Sequence, residues 1–367
     1  MFLLITFCVT FLLQTYFYLF LFRKYTSYKQ NKHKQSVFEV SIVICAKNEA
    51  DNLKILLPAL AHQKFSTYEI VVVDDGSTDN TLGEIQNFRQ EHLNSDFNTE
   101  VIHISPKNST GKKLALTKGI EAARYDHILL TDADCEPVSR NWINKMTASF
   151  TEKKSVIIGY GAYDKIDRSI LNKLIRFETL LTAIQYFSYA LDGKAYMGVG
   201  RNMAYKKKTF TEIGGFADHM DVKSGDDDLF ISQVASRENV AVCDHVDSFT
   251  ISRPPKKLVE WIRQKRRHIT TASHYNIQTK ISLGLFYASQ LSFYVLAFLA
   301  VLFKTYLFII IPLFFIRFIF WYSAINKAAA RLNEKDLIAL GPLYEISIIF
   351  MQLYIFFKNI ISPPKYW

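Results

Sequence analysis

The chain has 367 residues, 49% of them apolar and 14% aromatic, with 29 Phe and 20 Tyr concentrated toward its two ends. Its formal net charge is +10, but much of the basic charge borders apolar runs and no nucleic-acid motif accompanies it, so nucleic acid is excluded as the expected partner. Four scattered cysteines, Cys8, Cys45, Cys135 and Cys243, form no CxxC pair, so neither a zinc site nor a disulfide framework is suggested and a reducing cytosol fits.

The first predicted element is Met1 to Phe22, an uncharged apolar run of 22 residues, long enough to cross a hydrocarbon core of about 30 Å. A cleaved signal peptide would carry a basic start and a small-residue cleavage site. Here the basic residues Arg23, Lys24, Lys29, Lys32 and Lys34 follow the run. A retained anchor at 1–22 is therefore expected, its carboxyl end in the cytoplasm, with a basic juxtamembrane linker at 23–38.

Val40–Cys45 is a short β-branched run of the kind that forms a buried parallel strand. Glu49 to Gln63 follows with helical spacing of Ala50, Leu53, Leu56, Leu57 and Leu60. Ile70–Val73 is a second strand, ending in Asp74, Asp75 and Gly76, with Ser77 or Asp79 placed to cap a helix from Thr81. Val101–Ile104 is a third strand, Lys112–Ala123 a helix and His127–Thr131 a fourth strand running into Asp132. This alternation predicts an α/β fold, a doubly wound and mostly parallel sheet, whose ligands bind at the carboxyl ends of the strands. No glycine-rich phosphate loop is present, so a nucleotide would be held by carboxylates and a metal.

Asp132 and Asp134 are alternate residues after a buried strand and so can converge on one cation, Mg or Mn by the preference of hard ions for oxygen; the plain alternative is a solvated turn. Asp74 and Asp75 end the neighbouring strand and can accept from a nucleobase N–H or from ribose hydroxyls, or simply cap the turn. Ser224-Gly225-Asp226-Asp227-Asp228-Leu229 supplies three acids before a helical pattern. One acid suffices for capping, which leaves another to act as general base. Gln264-Lys265-Arg266-Arg267-His268 reads either as a basic interfacial helix or as a helix whose Gln264 and Arg267, three apart, hold diphosphate or acceptor.

Beyond it, Leu283–Phe303, Tyr306–Tyr322 and Leu337–Phe357 are apolar enough to span. The last is interrupted by Gly341, Pro342 and Glu345, which leaves an interfacial position open for it. Arg317, inside Tyr306–Tyr322, is expected to face protein, a headgroup or a bound lipid acceptor, or simply to snorkel. The expected organisation is an anchor at 1–22, a linker at 23–38, a cytosolic catalytic domain at 39–250, an amphipathic interfacial segment at 251–282 and a membrane region of about three spans at 283–367.

Taken in order, SIVICAKNEADNL, VVVDDGSTDNT, GKKLALTKGI, LLTDADCEP, GVGRNMAYKK, GGF, SGDDDLF and RQKRRH resemble the motifs of inverting family 2 glycosyltransferases with a GT-A fold, over roughly residues 39–268. The flanking spans are similar to those of the membrane-bound branch, the cellulose, hyaluronan and poly-N-acetylglucosamine synthases. The resemblance implies transfer from a nucleotide-sugar donor, a UDP-sugar by family weighting, to a lipid-linked or glycan acceptor at the inner membrane of the cell, among membrane lipids. It implies that Asp75, with Asp74 and Glu49, serves the nucleotide-sugar, that Lys112 approaches the phosphates, and that Asp134 binds the divalent metal with Asp132 beside the donor. Gly200, Arg201 and Asn202 would line the acceptor side, joined by Gln264, Arg267 and His268. The catalytic base maps onto Asp226 or Asp227. His268 departs from the Trp of polymerising members, and the C-terminal spans are few for a secretion channel; both favour transfer of one or a few sugars over processive synthesis. A catalytically inactive membrane scaffold is the remaining alternative.

Overall fold

The computed structural model describes residues 1–29, 37–108, 111–222 and 224–362; Lys32 and Lys34 of the expected linker lie outside the described residues. The chain divides into two compact units. One comprises Met1–Lys29, Asp167–Asp192 and Pro255–Trp367, and the other Gln30–Ile166 and Gly193–Pro254.

The second unit is built on a sheet. Its strands are Val40–Ala46 (β1), Tyr68–Asp75 (β2), Asn98–Ile104 (β3), His127–Asp132 (β4), Cys135–Pro137 (β5), Val156–Ile158 (β6), Gly161–Tyr163 (β7), Met203–Lys206 (β8), Val240–Val242 (β9) and Thr250–Ser252 (β10). Seven of them form one sheet in the order β3-β2-β1-β4-β8-β6-β9, and β5-β10-β7 form a small second sheet. β1 runs parallel to β2 and β4, and β2 to β3, while β8 is antiparallel to β4 and β6. The parallel half is the expected doubly wound sheet.

Strand alternation explains how both faces are covered. Ile42, Ile44, Ile70 and Val72 share one core with Leu53, Leu56, Leu57 and Leu60 of the helix Ala50–Ala61. Val73 and Ile104 turn the other way, onto Ala115 of the helix Lys112–Ala122. That helix approaches closely because residue 119 is glycine: a Cβ there would lie 2.6 Å from a methyl of Val43 and 3.0 Å from one of Val73. Register then sets the carboxyl edge. Cys45 pairs with Val73 on one side and Asp132 on the other, and Ala46 with Asp74. After Asp75 the chain turns at Gly76, whose φ of +67° and 2.8 Å approach to Pro106 Cα leave no room for a side chain.

Among the described residues the other unit holds four helices long and apolar enough to cross a membrane: Phe2–Thr26, Ile277–Leu302, Leu307–Arg331 and Gly341–Ile361. The first continues through a π-helical turn at Phe17–Leu21, so Arg23 and Lys24 extend the helix rather than end it. Gly341 and Pro342 begin the fourth helix instead of interrupting it. The helix Ile170–Leu191, not anticipated from the sequence, also belongs to this unit; Ser169 caps its start by accepting from the Asn172 amide.

Arg317 faces protein. It is fully buried, and its guanidinium donates twice to Glu345 at 2.8 Å, to Gln14 Oε1 at 3.0 Å and to the Tyr18 hydroxyl at 3.1 Å. Gln14 in turn donates to Ser289 at 2.7 Å, and Gln290 to Glu345 at 2.8 Å. One ion pair thereby links all four apolar helices. Arg317→Met leaves Glu345 buried without its partner and is expected to cost about 3–5 kcal/mol. The double change Arg317→Met/Glu345→Leu should recover most of that loss, as read by thermal unfolding in detergent.

Candidate active site

β4 delivers Asp132 to the carboxyl edge, and the turn into β5 carries Asp134. Asp132, Asp134 and Cys135 present ligand atoms all within 4.8 Å of one another. Cys135 is a poor partner for a hard cation: it is buried, its sulfur lies 3.0 Å from Ser252 Oγ, and burial followed by the two aspartates pushes its thiol far up. The two carboxylates remain. Asp134 lies at the solvent edge, yet loss of hydration and the neighbouring Asp132 raise its proton affinity. Two carboxylates this close, with the charge of Asp132 disfavouring that of Asp134, are a donor set suited to a divalent ion.

Lys112, at the start of its helix, reaches over this edge. Its ammonium donates to Asp132 Oδ1 at 2.7 Å and lies 2.9 Å from Asp226 Oδ2. The lysine therefore joins the aspartate after β4 to the acidic run that the sequence places far downstream. Lys113 points elsewhere, with its ammonium donating to the His219 and Val222 carbonyls at 2.5 and 2.9 Å. It anchors the segment that leads into the acidic run, a role the sequence did not announce.

Asp226 and Asp227 are neighbours with different work. Asp227 caps the helix Asp228–Val234: its Oδ1 accepts from the Asp228 amide at 2.8 Å and its Oδ2 from the Gly200 amide at 2.9 Å. Burial, then the carboxylates of Asp226 and Asp228, push its carboxyl up to about 7. Burial opposes ionisation of Asp226 as well, but the Lys112 ammonium outweighs it and holds that carboxyl below its ordinary range. Gly200 packs against the group, since a Cβ there would lie 3.3 Å from Asp226 Oδ2 and 3.4 Å from Lys112 Nζ.

The remaining expected residues divide. Asp75 is buried beside Lys47, 3.9 Å away, and its Oδ1 has no hydrogen-bond partner among the described residues. Asp74 is fully buried and structural, bound to His103 at 2.7 Å and to the Ser77 amide at 3.2 Å. Glu49 accepts from Asn52 at 2.5 Å; burial, and then the charges of Asp134 and Asp132, raise its carboxyl above the usual range, which places it in the same field. Arg201 donates to the Gly161 carbonyl at 2.6 Å and to Ser252 at 3.2 Å, with its guanidinium 4.3 Å over Tyr163. Asn202 is completely buried, giving its amide to the Tyr160 and Ser248 carbonyls at 2.8 Å and receiving Trp142 Nε1 at 3.0 Å; its side chain holds β8 in place. Gln264, Arg267 and His268 lie on the helix Leu258–His268, in the other unit.

Residues 41–214 match the profile described as Glycosyl transferase family 2. The chain carries a family 2 glycosyltransferase domain. This domain is 32% identical over 95 residues to a poly-β-1,6-N-acetyl-D-glucosamine synthase of Staphylococcus aureus (strain MSSA476), a match covering 26% of this chain and 21% of that protein. A synthase of the same description from Staphylococcus epidermidis (strain RP62A) is 30% identical over 105 residues, 29% of this chain and 24% of that protein. The matches thus span about a fifth to a quarter of the relatives' own length. In fold, the chain is similar to the mannosyltransferase PcManGT from Pyrobaculum calidifontis in complex with GDP-Man and Mn2+, with a TM-score of 0.58 and 15% identity over 94% of this chain and 97% of that one. That likeness establishes the GT-A type of sheet for the family 2 domain.

The raised Asp227 carboxyl has a consequence for stability. Its folded-state proton affinity exceeds that of an ordinary carboxyl near 3.8. The stability it contributes is complete below that value and is lost as pH rises through about 7. The depressed Asp226 acts oppositely, but only in the acid range. Wild-type protein should therefore melt lower at about pH 8 than at about pH 5, and Asp227→Asn should flatten this difference in a pH series of thermal melts.

Proposed function

We propose that the protein is an inverting glycosyltransferase that moves a sugar from a nucleotide-sugar to a membrane-associated acceptor, lipid-linked or glycan, at the cytoplasmic face of the inner membrane. The observation that carries this reading is the Lys112 bridge between Asp132, on the metal side, and Asp226, on the base side. Asp75 would take the nucleobase. Its unpartnered buried oxygen favours a base that presents a ring N–H, as uracil, thymine and guanine do and cytosine does not.

Asp132 and Asp134 would hold a divalent cation, Mg or Mn, which supplies charge neutralisation for a departing nucleoside diphosphate. Asp226 is the base of choice, because both Asp227 oxygens are committed to backbone amides. Asp226 takes the proton of the acceptor hydroxyl, and the acceptor oxygen forms a bond to the anomeric carbon as the bond to the diphosphate oxygen breaks on the opposite side. The Lys112 ammonium, which reaches both carboxylates, would pair with the diphosphate and so release Asp226 for this step. The matched synthases favour a second reading, processive polymer formation, and product chain length separates the two.

Binding can be tested without knowing the acceptor. Detergent-purified protein is expected to gain thermal stability with one class of UDP-, GDP-, TDP- or CDP-sugar in the presence of Mn2+, and Asp134→Ala to lose that gain. Absence of a response to every donor would sink the proposal in favour of a scaffold. For the base, Asp226→Asn should retain donor binding while turnover falls about 10²–10⁴-fold; turnover within a few-fold of wild type would return the assignment to Asp227.

A further inference from the structure

The first three apolar helices define two faces of the membrane unit. The Met1 amino group donates to the Tyr306 hydroxyl at 2.7 Å, so the start of Phe2–Thr26 lies beside the connection between the second and third helices. Arg331 donates to the Tyr28 carbonyl at 2.5 Å and lies 5.0 Å over Tyr25, so the third helix ends where the first ends. The stacking of Phe7 on Phe293 and the bond from Gln14 to Ser289 show the first and second helices running antiparallel. One face therefore carries Met1 and Leu302–Leu307. The other carries Lys29, Ile277 and Arg331.

The fourth helix can be followed against the second. Glu345 accepts from Tyr294 and from Gln290, the Ile349 carbonyl accepts from Tyr287 at 2.9 Å, and Asn359 exchanges two bonds with Arg266 at 2.8 and 3.2 Å. The Ser362 carbonyl also accepts from Arg266. As numbering rises along the fourth helix, its partners fall from 294 through 290 and 287 to 266, and Arg266 precedes the start of the second helix. The fourth helix thus descends toward the Ile277 face. Its beginning is inside the bundle: a Cβ on Gly341 would lie 2.5 Å from the Trp321 ring. Trp321 stands ten residues before Arg331, about 15 Å from that same face at 1.5 Å per residue. From Gly341 to Ile361 the helix covers about 30 Å, as long as a full crossing, so its course is set by its buried start beside Trp321 and Phe177 and not by its length.

We propose that Gly341–Ile361 is a re-entrant helix that begins within the bundle and returns to the face carrying Ile277 and Arg331, so that the chain crosses the bilayer three times. The approach to it is covered by protein only in part: Leu332, Glu334 and Leu337 are almost inaccessible and Glu334 and Asp336 both pair with Arg176, while Asn333, Lys335 and Asp336, next to the Arg331 end, stay exposed. Leu343, Phe350, Tyr354, Phe357 and Ile361 recur at helical spacing and are each more than half exposed. This stripe meets the acyl chains of the leaflet on the Ile277 side, and Lys358 reaches for its headgroups. The helix is a surface for lipid on one side of the membrane only.

The test needs neither donor nor acceptor. The 367-residue chain is made with one epitope before Met1 and a different one after Trp367, and sealed membrane vesicles are treated with protease with and without detergent. An odd number of crossings places the two epitopes on opposite sides, so one should be removed and the other protected until detergent is added. Removal of both, or protection of both, in sealed vesicles would mean a fourth crossing and overturn the proposal. Chains carrying each epitope alone, measured in parallel, show that neither tag alters insertion.

Discussion

A single ammonium bridging two carboxylates organises the carboxyl edge of the sheet unit. Buried acids at the ends of adjacent strands repel one another and lose hydration. Lys112 resolves this by lying within 3 Å of both Asp132 and Asp226, residues that come from different parts of the chain. Its neighbours are arranged around that choice. Gly200 leaves room for the lysine, and Lys113 is turned away to hold the approach to the acidic run. The result is a sheet edge whose carboxylates are bridged by one ammonium.

The first half of the sheet was legible because its signals are local. β1 and β2 are β-branched runs and β4 an apolar one, each buried over most of its length, and the helix Ala50–Ala61 between β1 and β2 repeats leucines at helical spacing. The aspartates at 75, 132 and 134 follow those runs directly, so their position at the carboxyl edge could be read off. β5, β7 and β10 could not be read in this way. Each is three residues long, too short for any periodicity, and forms only by pairing with distant partners. The roles of Asp226 and Asp227 were equally hidden, since adjacent identical residues are separated only by which of them meets the Gly200 amide.

The membrane unit shows the same limit. Composition marks apolar helices, but it does not show where their polar residues point. Arg317 left several readings open in the sequence, and the structure chooses protein through a residue of the next helix, Glu345. The helix Ile170–Leu191 escaped notice for a related reason. Its Arg176 and Glu178 look like surface charges until Glu334 and Asp336 answer one and Lys265 the other. Long-range ion pairs can bury what local pattern assigns to water.

Gly119 carries a mechanical implication. The helix that bears Lys112 is seated on the sheet by the absence of one methyl group, two turns away from the lysine. Shape at that contact thus acts as a ruler for the distance between ammonium and carboxylates. Any enlargement there tilts a lever whose far end is the charged group, so the chemistry at the edge is gauged by packing in the apolar core. Tolerance to change in this protein should follow that leverage rather than proximity to the reacting atoms.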